Sequence, residues 1–284
     1  MTRPWLLNLT ADLDLESPNQ EPSAAARRAA SRFAPRAAEL LVPEGDSWWD
    51  GESAPPSTSG SLEARAFCPT PRALACFVAA GLTPPPAPSL QILRATNDRA
   101  FCAELGQTLP GAHFIRDRAQ LRLAEGDWLL KRAFGFVGRG QRVVRAPLEE
   151  ADEHWLTSAL KLGGVQVEPR VHILREVGTP GFIDRASVHV GQPVEQLCEA
   201  GVWRESRPLG AASLDDVVPR LRDTTRAVGE ALVRIGYFGP FGVDAYLYRR
   251  STEDAEDPRW NLRSEINARY SMGWALGWDT RPDV

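Results

Sequence analysis

The sequence predicts an α+β fold, mixed α/β in composition, and three observations carry the prediction. Runs such as Gly242-Val243-Asp244-Ala245-Tyr246-Leu247-Tyr248 alternate apolar and polar side chains with period two, as half-buried strands do. The stretch from Ser213 to Ile235 repeats its apolar residues at helical spacing and reads as an amphipathic helix. Helical and strand segments are interleaved, hairpins are present, and no stretch repeats another.

Taken in order, Trp5 to Leu9 is a short buried strand, followed by an Ala/Arg-rich helix around Ser23 to Ala34. Residues 43–61 are rich in turn formers and mark a boundary. A helix starts at about Thr70, with Pro71 in its first turn and Gly81 beyond its end. Thr83 to Ser89 is a proline-rich connector, and the next helix takes Thr96 or Asn97 as its cap and ends near Gly106. Trp128 to Lys131 is a strand, then comes a glycine-bearing loop, then a strand over Arg142 to Arg145. A helix from about Leu148 to Leu162 stops at Gly163-Gly164. Val165 to Leu174 alternates as a strand, and strand-like pieces continue to about Val190. The helix ending at Ile235 has Pro219 near its start and Gly236 past its end, and a hairpin from Phe238 to Gly273 closes the chain.

Composition narrows the partners. The chain has 284 residues, enough for one large domain or two to three lobes, and 43% hydrophobic and 25% charged residues suit a globular protein. A formal charge of -4 gives no reason to expect a nucleic-acid or membrane-surface partner. No apolar stretch is long enough to span a bilayer, and Met1-Thr2-Arg3-Pro4 lacks a signal-peptide layout, so a cytoplasmic location is expected. Cys68, Cys76, Cys102 and Cys198 show no metal-ligand spacing and read as reduced thiols. Of 33 basic residues only Lys131 and Lys161 are lysine, which hints at a chemical reason for lysine at 131.

Two stretches carry chemistry. In the closing hairpin Glu265, Asn267 and Arg269 share one strand face, and folding about the acidic tip 251–258 brings Asp244 opposite Glu265 or one pair away. Carboxylates about 4 Å apart repel by roughly 4 kcal/mol at an effective dielectric near 20. A divalent cation reverses that sign, and Asp244, Glu265 and Asn267 offer the hard oxygen donors that suit Mg²⁺ or Mn²⁺. Arg269 adds a fixed positive charge nearby. The competing reading is a solvated polar face on an edge hairpin. The second stretch is Lys131 to Gly140, where Gly135, Gly138 and Gly140 can turn backbone N–H groups toward an anion and Lys131 adds charge at a strand end. It lacks the Gly-Lys-Ser/Thr of a Walker loop, and a strand follows where a dinucleotide-binding turn needs a helix. A β-loop-β flap over phosphates fits, and a plain glycine turn is the alternative.

Together these stretches resemble the ATP-grasp superfamily, which includes biotin carboxylase and D-alanine–D-alanine ligase. Lys131 with Gly138-Arg139-Gly140 looks like that family's nucleotide-binding lysine and flap, and Asp244, Glu265 and Asn267 match its magnesium ligands. Arg269 matches the arginine of its reaction centre. Asn97-Asp98-Arg99 is similar to its Asp-Lys helix start, with Arg99 where a phosphate-binding lysine is common. Val167 to Val171 resembles the hinge strand, where Glu168 and the backbone near Val171 contact adenine, and Glu176 is a candidate ribose contact.

The resemblance implies ATP and Mg²⁺ (or Mn²⁺) clamped between two lobes, with no protein nucleophile needed. The activity it implies is ATP-dependent activation of a small-molecule or peptide carboxylate for attack by an amine or thiol. An ATP-grasp phosphotransferase acting on a hydroxyl and a non-catalytic ATP-binding protein are the alternatives. The implied organisation is a shortened N-terminal lobe over 1–65, a linker and helical subdomain over 66–123, a glycine-flap lobe over 124–190 and a metal-binding lobe over 191–284.

Overall fold

The structure is a computed structural model that describes residues 2–56, 63–106, 108–136, 139–185, 187–199, 202–210, 216–250 and 257–283. The chain opens with a three-stranded parallel sheet in the order β2-β1-β3, formed by β1 (Pro4–Leu6), β2 (Ser47–Trp49) and β3 (Arg65–Ala66). The first strand is shorter than expected, and Leu7 and Leu9 continue it as a buried loop into α1 (Ala11–Glu16). The alanine-rich segment forms two helices rather than one, α2 (Ala24–Ser31) and α3 (Ala34–Leu41), with Pro35 in the first turn of the second. β2 lies inside the stretch expected to be loop: Trp49 buries its ring edge-on against Phe77, and that burial outweighs the surrounding turn formers.

α4 (Pro71–Ala79) starts where expected, with the Thr70 hydroxyl accepting from the Ala73 N–H at 3.3 Å. The next boundary differs. Ser89, not Thr96 or Asn97, caps α5 (Leu90–Asn97), and Asp98 caps α6 (Arg99–Glu104), its carboxylate accepting from the Ala100 N–H at 2.8 Å. Asn97 ends α5 and turns its amide elsewhere.

A four-stranded sheet follows in the order β4-β7-β5-β6, from β4 (His113–Ile115), β5 (Asp127–Phe136), β6 (Arg139–Arg145) and β7 (Val165–Pro169). Leu156 and Ala159 of α7 (Glu150–Lys161) join Leu130, Val144, Val165 and Val167 in the core beneath it. Lys131 is therefore at mid-strand, because β5 and β6 continue pairing beyond it across a register shift.

The expected strand 165–174 is broken at Arg170-Val171. Pro169 ends β7, and β8 (His172–Asp184) enters another sheet. That six-stranded sheet runs β11-β10-β8-β12-β13, with β9 (Ser187–Val190) also paired to β8. Its other strands are β10 (Val194–Glu199), β11 (Val202–Pro208), β12 (Gly239–Arg249) and β13 (Arg259–Asn267). Strands 172–184 and 187–190 fall within the expected 124–190 unit, but their hydrogen bonds belong to this sheet. α8 (Val218–Ile235) packs Val228, Ala231 and Leu232 into the main core with Phe241 and Val243, and ends at Gly236 in the left-handed conformation. Among the described residues no helix is long and apolar enough to cross a membrane.

Candidate functional site

The hairpin of β12 and β13 sets Asp244 directly opposite Glu265, with Val243 opposite Ile266 and Gly242 opposite Asn267. Ile266 and Ala268 are buried in the core, whereas Glu265, Asn267 and Arg269 line one cavity, so the alternation read from the sequence holds. Beyond Asp244 the register shifts, since Tyr246 pairs with Asn261. The Ser264 hydroxyl donates to the Asp244 carbonyl at 3.0 Å, and the Asn261 side-chain oxygen accepts from the Arg263 N–H at 3.2 Å. These bonds fix the bulge that aims the two carboxylates into the cavity. Residues 251–256 of the acidic tip lie outside the described residues.

The two carboxylates are held differently. Asp244 accepts from the Gln196 amide at 2.9 Å and the Asn267 amide at 2.8 Å, both neutral donors. Burial first and the neighbouring Glu265 charge second push its carboxyl up to about 6. Burial also opposes ionisation of Glu265, but Arg99 and then Lys131 outweigh it and hold that carboxyl below the usual range. Arg99 Nη2 bonds Glu265 Oε1 at 2.8 Å. A carboxylate that lacks a cation of its own, opposed to a second one and flanked by an amide, is an all-oxygen donor set suited to Mg²⁺ or Mn²⁺.

Arg99 ties three elements together. It is buried, its Nη1 donates to the Arg132 carbonyl of β5 at 2.7 Å, and its Nη2 reaches Glu265 of β13. Gly135 makes room for it: a Cβ there would sit 2.7–2.8 Å from the two terminal guanidinium nitrogens. Gly135 is thus a strand residue against which a cation packs, rather than part of an open loop. Lys131 lines the same cavity and pairs with Glu168, Nζ to Oε1 at 2.6 Å, while the Tyr246 hydroxyl lies 3.4 Å from Glu168 Oε2. Glu168 is 4% exposed and is not among the cavity-lining residues. Val171 packs with Leu109, Tyr246 and Tyr248. Glu176 lines the cavity, its carboxyl raised mainly by burial and partly offset by a hydrogen bond from Cys198. Gly140 has φ +79 and lies against the methylenes of Arg132. Gly138 and the side chain of Arg139 lie outside the described residues; the backbone of Arg139 pairs with Phe136.

Arg269 lines the cavity, but its partner is neither a ligand nor Glu265. Its Nη2 and Nε bind Asp12 Oδ2 and Oδ1 at 2.8 and 3.2 Å, and its guanidinium carbon stands 5.1 Å from the Phe67 ring centre. The pair joins α1 to the end of β13. Asn97 secures the same strand end, accepting from the Ala268 N–H at 2.9 Å and donating to the Ala268 carbonyl at 3.3 Å. Asp12, Asn97 in this role and Gln196 hold residues of the candidate site and were missed by sequence reasoning. Only the acid pair Asp12 and Asp14 just after a buried strand offered a signal, and their distance from residue 269 along the chain hid it.

The cavity measures about 290 Å³ and collects Arg99 of α6, Lys131 of β5, Asp244 of β12, Glu265 and Asn267 of β13, and Arg269 just beyond it. Among the described residues no group of three or more His, Cys, Asp or Glu side chains could hold a metal, so any cation there relies on the Asp–Glu pair with an amide.

No protein-family model matches the chain, and no curated protein is similar to it. Solved structures are. D-alanine–D-alanine ligase from Helicobacter pylori matches over 98% of this chain and 95% of its own, at 9% identity and a TM-score of 0.51. D-alanyl-alanine synthetase A from Vibrio cholerae matches over 94% and 88%, at 12% identity and a TM-score of 0.50. N5-carboxyaminoimidazole synthetase from Staphylococcus aureus, complexed with ADP, covers 96% and 71%, at 10% identity and a TM-score of 0.49. The agreement with the first two extends over nearly the whole of each chain and establishes the architecture that the motifs implied: this chain has the ATP-grasp fold.

Proposed function

We propose that the protein is an ATP-dependent ligase that activates a substrate carboxylate as an acyl phosphate for attack by an amine or thiol. The observation that carries this reading is the direct opposition of Asp244 and Glu265 beside Lys131, Arg99 and Arg269 in one cavity of an ATP-grasp fold. In this reading Asp244, Glu265 and Asn267 would hold Mg²⁺, which would supply positive charge to offset that of the phosphates during phosphoryl transfer. Lys131, together with Gly138, Arg139 and Gly140 of the flap, contacts phosphates. Glu168, the backbone at Val171 and Glu176 serve the adenosine end, with Glu168 also keeping Lys131 in place. Arg99 neutralises phosphate charge from beside Glu265.

Arg269 is assigned the reaction centre, where it stabilises negative charge on the activated carboxylate and on the oxyanion formed by the attacking amine. The bidentate Asp12 contact keeps its fork in one orientation, a preorganised donor rather than a mobile one. The division into 1–65, 66–123, 124–190 and 191–284 belongs to the same proposal, as do small-molecule substrates and a reducing cytoplasm, which four free cysteines suit.

The test is calorimetric titration with a non-hydrolysable ATP analogue in the presence and absence of Mg²⁺, followed by ADP release across a panel of acids and amines. Mg²⁺-dependent binding with ADP and an amide or thioester product is the expected result. ADP with a phosphorylated hydroxyl product would replace the ligase by a phosphotransferase, and binding with no ADP from any acceptor would replace it by a non-catalytic binder.

A further inference from the structure

We infer that the acceptor bound at the Arg269 end of the cavity carries a large apolar or aromatic side chain. The inference rests on the ligase reading and names the substrate class of that site. All three cations lining the cavity already hold a carboxylate within 3 Å: Arg99 on Glu265 at 2.8 Å, Lys131 on Glu168 at 2.6 Å and Arg269 on Asp12 at 2.8 Å. The polar groups of the adjoining wall are committed as well. Gln196 donates to Asp244, and Cys198 hydrogen-bonds Glu176.

Apart from the Ser271 hydroxyl, what is left beside Arg269 is apolar. Phe67 lies beneath the Arg269 guanidinium, Met272 follows three residues later, and Phe33 stands 6.4 Å from Trp203, centre to centre. Leu9 completes the wall. The indole N–H of Trp203 is satisfied by the Ser206 hydroxyl at 2.9 Å, so its polar edge is used inside the protein while the residue lines the cavity. Phe33, Trp203 and Met272 are only partly buried, leaving apolar surface for a ligand to cover. The acceptor's carboxylate finds Arg269; its side chain finds aromatic rings.

The experiment measures acceptor-dependent ADP release with Mg²⁺ and ATP for L-phenylalanine, L-leucine, glycine, L-aspartate and ribose 5-phosphate, in the wild type and in Trp203→Ala and Met272→Ala. Their folds are checked by circular dichroism. Release with phenylalanine or leucine, weak release with glycine and aspartate, and none with ribose 5-phosphate is the expected pattern. Each variant should raise KM for the apolar acceptor roughly ten- to thirtyfold while KM for ATP changes less than about twofold. A preference for aspartate or the sugar phosphate, an inactive panel, or an unchanged acceptor KM in both variants overturns the inference. Calorimetry with the ATP analogue separates the two failures. Nucleotide binding with the wrong acceptor pattern sinks this inference alone, and absence of nucleotide binding sinks the ligase reading and this inference with it.

Discussion

Lys131 and Asp244 sit at the middle of two strands that face one cavity, yet their surroundings differ. On the four-stranded sheet, Lys131 meets Glu168 at 2.6 Å, a cation and an anion that balance each other inside the protein. On the six-stranded sheet, Asp244 meets Glu265 in register, and among the described residues its carboxylate bonds neutral amides, those of Gln196 and Asn267. The first arrangement is electrostatically complete without a ligand. The second holds a carboxylate at about 6, a protonation cost that a bound cation would remove. Strands bear like charges directly opposite one another at a loss of stability, a loss that the proposed Mg²⁺ would offset at Asp244 and Glu265.

The sharpest way to break this contrast is to neutralise either carboxylate. Glu265→Gln and Asp244→Asn should each lower ADP formation by about 10³-fold or more, because the proposed Mg²⁺ site would lose a charged ligand. Turnover near the wild type in either variant would remove the metal assignment. Next in size is Asp12→Ala, which strands the buried Arg269 charge and should destabilise the fold by about 3–5 kcal/mol, read from urea unfolding. A loss below about 1 kcal/mol would mean that the pair carries no net charge burden.

A third prediction turns on pH. In the fold the Asp244 carboxyl titrates near 6, against 3.8 for the free group, so the native state keeps a proton that the unfolded chain gives up. Stability of the ligand-free protein from this group therefore falls as pH rises from about 4 to 6 and stays low above that. Asp244→Asn should raise the unfolding free energy at pH 8 by about 2 kcal/mol and give no gain at pH 4. An equal gain at both values would show that the charge is not the cause. The smallest effect concerns Gly135→Ala, whose methyl would meet the Arg99 guanidinium at 2.7 Å. Displacing Arg99 should weaken Mg²⁺-ATP analogue binding by about tenfold while leaving the melting temperature within a few degrees.

Much of the site was legible because it is local. Alternation within a strand puts Glu265, Asn267 and Arg269 on one face whatever the strand packs against, and the hairpin brings Asp244 to Glu265 from nearby in the chain. The helix start at Thr70 was legible for the same reason, and Pro219 marked the first turn of α8, since caps and first-turn prolines act over three or four residues. Legibility failed where a distant partner decides. Asp98 rather than Asn97 caps α6 because Asn97 is claimed by the backbone of Ala268, and Glu168 meets Lys131 because β5 and β7 are neighbours in space.

The sequence by itself determined the mixed strand and helix pattern, the opposed carboxylates, the lysine and glycines beside them, and the kind of ion and anion they suit. Period-two alternation and the preferences of hard oxygen donors are properties of short segments. Tertiary structure alone decided that Arg269 answers to Asp12, that Arg99 bridges β5 to Glu265, and that Phe33 and Trp203 face the same cavity. Those contacts span 33 to 257 residues of chain, and only the packing of separate sheets and helices brings such side chains within reach of one another.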